Sequence, residues 1–311
     1  MSGKERLGLD YWLQWQVGVC ALIFAIPTAI ALRLINMRRR NTEAIIIKST
    51  DLWVPCWRNL HPLWLLCYRA SAFVAMAFML YQTVANLGFF VFLFYTQWTF
   101  TLVGVYFALG TIISARGCWL YTRNPLSQPG ERDKFLKTDA EEDNYGPSSE
   151  QRLGFWENFM QIIYQICAGA VMLTDIVFWC LLLPFMTGEN FKLTLLIGLM
   201  HSVNAIFLLL DSVLSNLQFT WFGFTYFILW SCSYVVFQWS LHACCLSWWP
   251  YPFLELNTPW APLWYLGLAL VHIPCYGIYV LLIKAKGRIF SRLFPQAFLS
   301  GAEIAMEKKL T

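Results

Sequence analysis

Residues 12–40 read WLQWQVGVCALIFAIPTAIALRLINMRRR, and this stretch decides the fold class. The apolar run is long enough to cross roughly 30 Å of hydrocarbon, which takes about 20 residues. Arg33, Arg38, Arg39 and Arg40 follow it as a stop-transfer flank, so it reads as a spanning helix and not as a cleaved signal peptide. Six further segments have the same character, giving spans at about 12–34, 66–86, 89–115, 161–187, 191–213, 219–242 and 260–283. Composition agrees: 58% of the 311 residues are hydrophobic and 13% are charged. Soluble domains carry about 25% charged residues, so this chain cannot coat a globule in water. The sequence predicts an all-α polytopic integral membrane helical bundle of about seven transmembrane helices.

Charge placement gives orientation. Arg33, Arg38–Arg40, Lys48, Arg58 and Arg69, the loop Arg116–Arg152, and the tail from Lys284 to Lys309 hold 19 of the 22 basic residues. An odd number of spans puts all of these on one face, against Lys4, Arg6 and Lys192 on the other. By the positive-inside rule the N-terminus is outside or lumenal and the C-terminus cytosolic. Trp12, Trp15, Trp248, Trp249 and Trp260 then mark the lumenal interface, and Trp53, Trp57, Trp64, Trp119, Trp156 and Trp221 the cytosolic one. Arg69 falls within a turn of a helix end and reads as a snorkelling anchor. The polar stretch 122–153, with its Asp139–Asp143 acidic run, reads as a disordered cytosolic loop. Asn86-Leu87-Gly88 breaks the second and third spans. A shorter alternative lets 87–95 lie in the interface and starts the third helix near Gln97.

Ionisable groups inside the hydrocarbon are costly and mark candidate sites. Asp175, His201 and His272 fall near the centres of their helices, and Asp211 follows His201 by ten residues. Those ten residues span about 15 Å, too far for a direct His201–Asp211 hydrogen bond. Buried polar groups of this kind also serve as interhelical glue. His201, His272, Asp175 and His242 are chemically suitable metal ligands, but no two His share a helical turn, so neither a metal nor another cofactor is expected. Thr96, Thr99 and Thr101 cluster in the third span. Were that helix to start near Phe89, Thr96 would lie about 10 Å below the lumenal surface, close to the depth of His201. The plain alternative is that each Thr bonds back to its own helix's carbonyls.

Three blocks in order carry a resemblance: Phe94-Tyr95-Thr96 with Val105-Tyr106-Phe107; Leu199-Met200-His201-Ser202 with Asp211; and Trp249-Pro250-Tyr251-Pro252-Phe253-Leu254-Glu255. Over about residues 68–285 the chain resembles the androgen-induced-gene family of integral membrane hydrolases. That family cleaves fatty acid esters of hydroxy fatty acids with a membrane Thr nucleophile and a His. The resemblance implies His201 as base and Thr96 as nucleophile, with Thr99 second; beside it, the buried polar residues Asp175 and His272, with Asp211 and Glu255, are read as orienting or polar-network groups. The chain departs from the family in its extra first helix, its short break at Asn86–Gly88 and the acid at Asp175. The extra polar residue Asp175 and the charged cytosolic loop look more like the related rolling-stone-type proteins.

Two functions follow as expectations. One is a membrane-embedded, threonine-dependent lipid ester hydrolase, in which Thr attacks an ester carbonyl while neutral His takes its proton. The other is a non-catalytic multi-pass protein that uses the same polar network for packing, lipid or partner binding. Membrane lipids and a small amphipathic lipid ester are the expected ligands, with no nucleic acid. The organisation reads as an extra helix and basic loop at 1–67, a six-helix core at 68–285, and a cytosolic tail at 286–311. The ending Lys308-Lys309-Leu310-Thr311 resembles a dilysine retrieval signal, placing the protein in the endoplasmic reticulum, with the plasma membrane as alternative.

Overall fold

The computed structural model describes residues 9–40, 49–58, 60–123, 154–186 and 193–299. The acidic run at 139–143 and the terminal Lys308-Lys309 lie outside them. The elements are helices: α1 Leu9–Trp12, α2 Trp15–Arg40, α3 Pro62–Leu87, α4 Tyr95–Arg123, α5 Phe155–Val177, α6 Leu195–Met200, α7 Val203–Leu214, α8 Gly223–Cys244 and α9 Ala261–Leu293. A π-helical stretch, Phe178–Met186, continues α5.

Six segments are long and apolar enough to cross a membrane: Trp15–Arg40, Pro62–Leu87, Tyr95–Arg123, Phe155–Phe185, Leu195–Leu214 and Ala261–Leu293. The chain is therefore an all-α polytopic membrane protein. The remaining predicted span, 219–242, forms α8, whose 22 residues extend about 33 Å. It falls outside the six because Thr225, Ser231, Ser233, Gln238, Ser240 and His242 dilute its apolar character.

Local chemistry sets the ends. Pro62 opens α3 with a pre-set φ, and His61 Nδ1 accepts from Leu63 N at 3.1 Å. Gly88, at φ +73, stops it and turns the chain. Phe89–Leu93 then forms a short 3₁₀ segment and α4 begins at Tyr95, as in the shorter of the two sequence readings. Tyr234 and Gln238 fix this turn by donating to Leu93 O at 2.7 and 2.6 Å.

α5 stands at the centre and touches α4, α7, α8 and α9. Its buried run Ala168-Gly169-Ala170 lets neighbours approach, with the Phe227 ring of α8 lying against Gly169. Around it α3 packs on α4 and α7, and α2 packs on α8 and α9. Trp98 and Tyr95 join α4 to α8, while Ser212 and Tyr279 join α7 to α9 at 2.6 Å. Among the described residues the result is seven helical columns, with α4, α7, α8 and α9 against α5 and with α3 and α2 packed outside them. α1 and residues 245–257 meet at one end through Tyr11–Glu255 and Gln14–Asn257, both 3.3 Å. At the other end 49–58, 215–222 and 294–299 gather, with Cys56 N bonded to Leu214 O at 2.9 Å and Leu299 N to Cys56 O at 2.8 Å.

Trp15, Trp64, Trp119, Trp156, Trp221, Trp248 and Trp260 are exposed in keeping with interfacial anchoring. Trp53 is a correction to that scheme. Its ring is buried against Gly117 of α4, because a glycine there leaves room for an indole. Arg69 is a second correction. Instead of snorkelling, its side chain is fully buried, because α7 brings Asp211 to meet it.

Candidate functional site

Two polar layers cross the bundle. In the first, Arg69 Nε donates to Asp211 Oδ1 at 2.7 Å and Nη2 to Oδ2 at 3.2 Å. Arg69 Nη1 also bonds Leu52 O at 2.6 Å and Ser114 Oγ at 2.9 Å, and the Tyr106 hydroxyl donates to Asp211 Oδ2 at 2.5 Å. Tyr164, Ser212 and Tyr279 extend the network by hydroxyl contacts of 2.6–2.8 Å. Every carboxylate oxygen and guanidinium nitrogen here has a partner. Asp211 thus belongs to a closed ion pair that joins α3, α4 and α7.

The second layer is open. The predicted span 191–213 is broken: α6 ends at Met200, and α7 begins at Val203. His201 and Ser202 form the break. Trp179 Nε1 of the π-helical stretch donates to His201 O at 2.8 Å, and the imidazole stacks flat on Phe178, centroids 3.6 Å apart. π-helical turns often accompany functional sites. His201 Nδ1, Asn204 Nδ2 and Gln97 Oε1 are buried without a hydrogen-bond partner, as are Thr99 Oγ1 and Thr101 Oγ1. Asp175 lies alongside the Asn204 amide and its Oδ1 is 3.5 Å from the Thr174 hydroxyl.

Register places these groups at one depth. Gln97 Nε2 reaches Met200 Sδ at 3.6 Å and Tyr106 reaches Asp211, so α4 runs parallel to the α6–α7 column. Thr99 and Thr101 consequently lie level with His201–Asn204. Tyr164–Ser212 fixes α5 antiparallel to the same column and brings Asp175 level with His201.

The two Thr candidates differ. Thr28, Thr83, Thr111, Thr122 and Thr174 each bond the carbonyl four residues back. Thr99 and Thr101 make no such bond. Thr96 stands in the first turn of α4, because the helix starts at Tyr95 and not near Phe89. Its hydroxyl associates with Tyr251, which also accepts from Tyr95 N at 3.1 Å. Burial pushes the Tyr251 phenol up to about 12, a shift that the Thr96 side chain partly offsets. Thr96 and the Trp249–Glu255 block therefore meet. Neither Thr96 nor Thr99 hydrogen-bonds to His201. Gln97, about 160° around α4 from Thr99, is the α4 residue that reaches the break.

His272 sits elsewhere, on the α8 side of the bundle, with Nδ1 2.7 Å from Leu268 O and its ring against Phe227. Glu255 is at the bundle end, accepting from Tyr11 and from Asn257 N at 2.9 Å. His242 stacks on Trp249 at 4.0 Å. Among the described residues no three His, Cys, Asp or Glu side chains form a metal-binding group. An open groove of about 640 Å³ at the 245–260 end is lined by Pro252, Thr258, Trp260, Leu263, Trp264 and Gly267, none of them a candidate residue.

Sequence reasoning passed over Gln97 and Asn204. The signal was present: a primary amide in an apolar helix cannot satisfy all its hydrogen-bonding groups on its own backbone as Thr can. No protein-family model, curated protein or solved structure matches this chain. The fold and site define a class, polytopic helical membrane proteins with a polar layer at a broken helix, and function must be argued from that layer.

Proposed function

We propose that this multi-pass membrane protein takes the polar group of an amphipathic lipid into its core at the α6–α7 break. The observation that carries the reading is the set of buried polar groups at one depth around the break, Gln97 Oε1 and His201 Nδ1 without a partner and the Asn204 amide beside Asp175. Each such group costs about 1–3 kcal/mol when left unsatisfied, a strong drive to bind a polar partner. Broken helices lining a midplane site are a recurrent way for membrane proteins to bind polar ligands. The test is photo-crosslinking in nanodiscs with diazirine-bearing lipids, followed by peptide mapping. Label should map to α4 and 195–214, and saturate. Label spread over the lipid-facing surfaces of α2 and α3 would sink the reading.

A second reading, ester hydrolysis, is favoured by one specific feature. His201 Nδ1 is buried without a hydrogen-bond partner and is free to take a proton, level with Thr99, whose hydroxyl lies by Tyr95 on the face of α4 turned from the break. Hydrolysis requires a Thr hydroxyl brought to the ester carbonyl by rotation of α4 or by the reach of the substrate; His201 takes the hydroxyl proton and passes it to the departing alcohol, and water then cleaves the acyl-threonine. The resemblance to the androgen-induced-gene hydrolases points the same way and makes Thr96 the competing nucleophile. A fluorophosphonate probe should label the purified protein, and Thr99→Ala, Thr96→Ala and His201→Ala separate the roles. Labelling that survives both Thr substitutions removes this reading.

Charge placement supports a lumenal 245–260 end and a cytosolic tail, with retrieval to the endoplasmic reticulum through Lys308-Lys309. Exposed Cys244 and Cys245 offer the test. An impermeant maleimide should reach them only from the lumenal side, and changing both Lys to Ser should move the protein forward along the secretory route.

A further inference from the structure

α9 outruns its neighbours. Its 33 residues extend about 50 Å, against roughly 30 Å of hydrocarbon. Lys286 Nζ donates to Ser212 O at 2.6 Å and to Ser215 O at 2.7 Å, which puts this turn of α9 beside the end of α7. The helix then continues to Leu293, about 10 Å further and enough to cross a lipid headgroup layer. One side of this extension is covered. Trp57 lies against Phe290, Phe294 and Phe298, with ring centroids 5.3, 5.8 and 5.5 Å away, so the extension is held in place.

The opposite side is bare and basic. Lys284, Arg288 and Arg292 are exposed and recur every fourth residue, so they form one stripe, with Arg288 about 160° around the helix from Phe290. Residues 281–299 contain no Asp or Glu, and none of the three cations has an ion-pair partner among the described residues. In line with the stripe, further up the same face, stand Leu270 and Leu281, 55% and 65% exposed. One face of one helix is thus apolar as far as Leu281 and cationic from Lys284 on, the order in which a bilayer presents acyl chains and then headgroups. Ile289 and Leu293 border the cations and are exposed too, an amphipathic mixture that suits a lipid interface better than a docking face for a soluble acidic partner.

We propose that this stripe binds an anionic phospholipid, whose phosphate groups meet Lys284, Arg288 and Arg292 while its acyl chains lie along Leu281 and Leu270. A multiply phosphorylated headgroup suits three cations better than a singly charged one. A zwitterionic headgroup gains least, because its own ammonium opposes them. Each cation near an anionic surface contributes about a fivefold gain in affinity, and the three together about a hundredfold. The site is separate from the polar layer at the α6–α7 break and stands whether or not that layer takes a lipid.

The experiment titrates the full chain, purified in dodecyl maltoside, with phosphatidylinositol bisphosphate and with phosphatidylcholine of the same acyl chains, and counts bound lipid by native mass spectrometry. Half-saturation by the bisphosphate lipid should come at a concentration about tenfold or more below that of phosphatidylcholine. Added salt should narrow the gap. Lys284→Gln/Arg288→Gln/Arg292→Gln should weaken the bisphosphate lipid by about tenfold or more. Arg116→Gln/Arg123→Gln, which removes two exposed cations from the end of α4, should leave it within about threefold of wild type. Wild-type protein without a preference for the anionic lipid overturns the proposal and leaves the stripe to an acidic protein partner. Equal losses in both variants, or none in the triple variant, overturn the assignment to α9. A bisphosphate lipid with a diazirine in one acyl chain checks the wild type alone, so a substitution that fails to fold does not shield the proposal. Its label should map to 266–293, and label confined to α4 and 195–214 would put the lipid at the break instead.

Discussion

Replacing Asp211 with Asn keeps the shape of the side chain and removes its charge, leaving the Arg69 guanidinium buried opposite a neutral group. Both side chains of the wild-type pair are fully buried, and Arg69 donates four hydrogen bonds, two to Asp211 and one each to Leu52 O and Ser114 Oγ. Breaking a buried pair from one side costs about 3–5 kcal/mol, because the remaining charge has no counterion. Asp211→Ala adds loss of the acceptor for the Tyr106 hydroxyl, about 1 kcal/mol more. Arg69→Met should cost a comparable amount, since it leaves the carboxylate with Tyr106 and Ser215 but no bidentate cation. The double variant Arg69→Met/Asp211→Leu tests the argument, because it removes both charges and restores apolar packing. It should lie within about 2 kcal/mol of wild type, giving a coupling energy of several kcal/mol. The assay is reversible unfolding of wild type, Arg69→Met, Asp211→Leu and the double variant in mixed micelles of dodecyl maltoside and increasing dodecyl sulfate, with Asp211→Asn and Asp211→Ala alongside. Single variants that each cost under about 1 kcal/mol, or a double variant that costs the sum of the singles, would refute the account of Arg69 and Asp211 as a mutually dependent pair.

Three further outcomes follow from particular contacts. Gly169→Ala should destabilise by about 1–3 kcal/mol, since a Cβ would meet the Phe227 ring at 2.6 Å, whereas Gly198→Ala, with nothing within 4 Å, should be neutral or stabilising in the same assay. Trp179→Phe removes the donor to His201 O and should cost about 1 kcal/mol, with amide hydrogen exchange rising in 197–204 and not in α2. The Tyr251 phenol is held at about 12 by burial against an ordinary value of 10, so its contribution is complete below pH 10 and is lost as pH rises towards 12. Stability profiles of wild type and Tyr251→Phe should therefore converge over that window by up to about 2–3 kcal/mol, and parallel profiles would contradict the shift.

What could be read in the sequence was whatever depends on neighbours along the chain. Runs of about 20 apolar residues gave the spans, and Gly88 gave the turn before α4, because both signals are local. α8 was legible as a helix by length even though its serines and Gln238 dilute its hydropathy. Arg69 was misread because its meaning depends on Asp211, 142 residues away in sequence, and a cation near a helix end looks the same whether it snorkels or pairs. The break at His201–Ser202 has no Pro or Gly at the break itself. Its backbone is held from outside by the Trp179 indole, a contact between two columns that periodicity cannot express.

The two polar layers answer differently to the same physical demand. Both place hydrogen-bonding groups in a medium that offers none, and a protein can meet that by closing the network or by leaving it for a ligand to close. Around Asp211 it is closed, and the layer's role is to fix α3, α4 and α7 in one register. That fixed register is what holds Gln97, one layer away, level with the α6–α7 break. A lesion in the first layer should therefore appear in the second as weakened lipid labelling before the bundle unfolds. Asp211→Asn protein, assayed at a temperature where it remains folded, should take up less diazirine-lipid label in α4 and 195–214. If labelling is untouched while stability falls by about 3–5 kcal/mol, the layers are independent and the register argument fails.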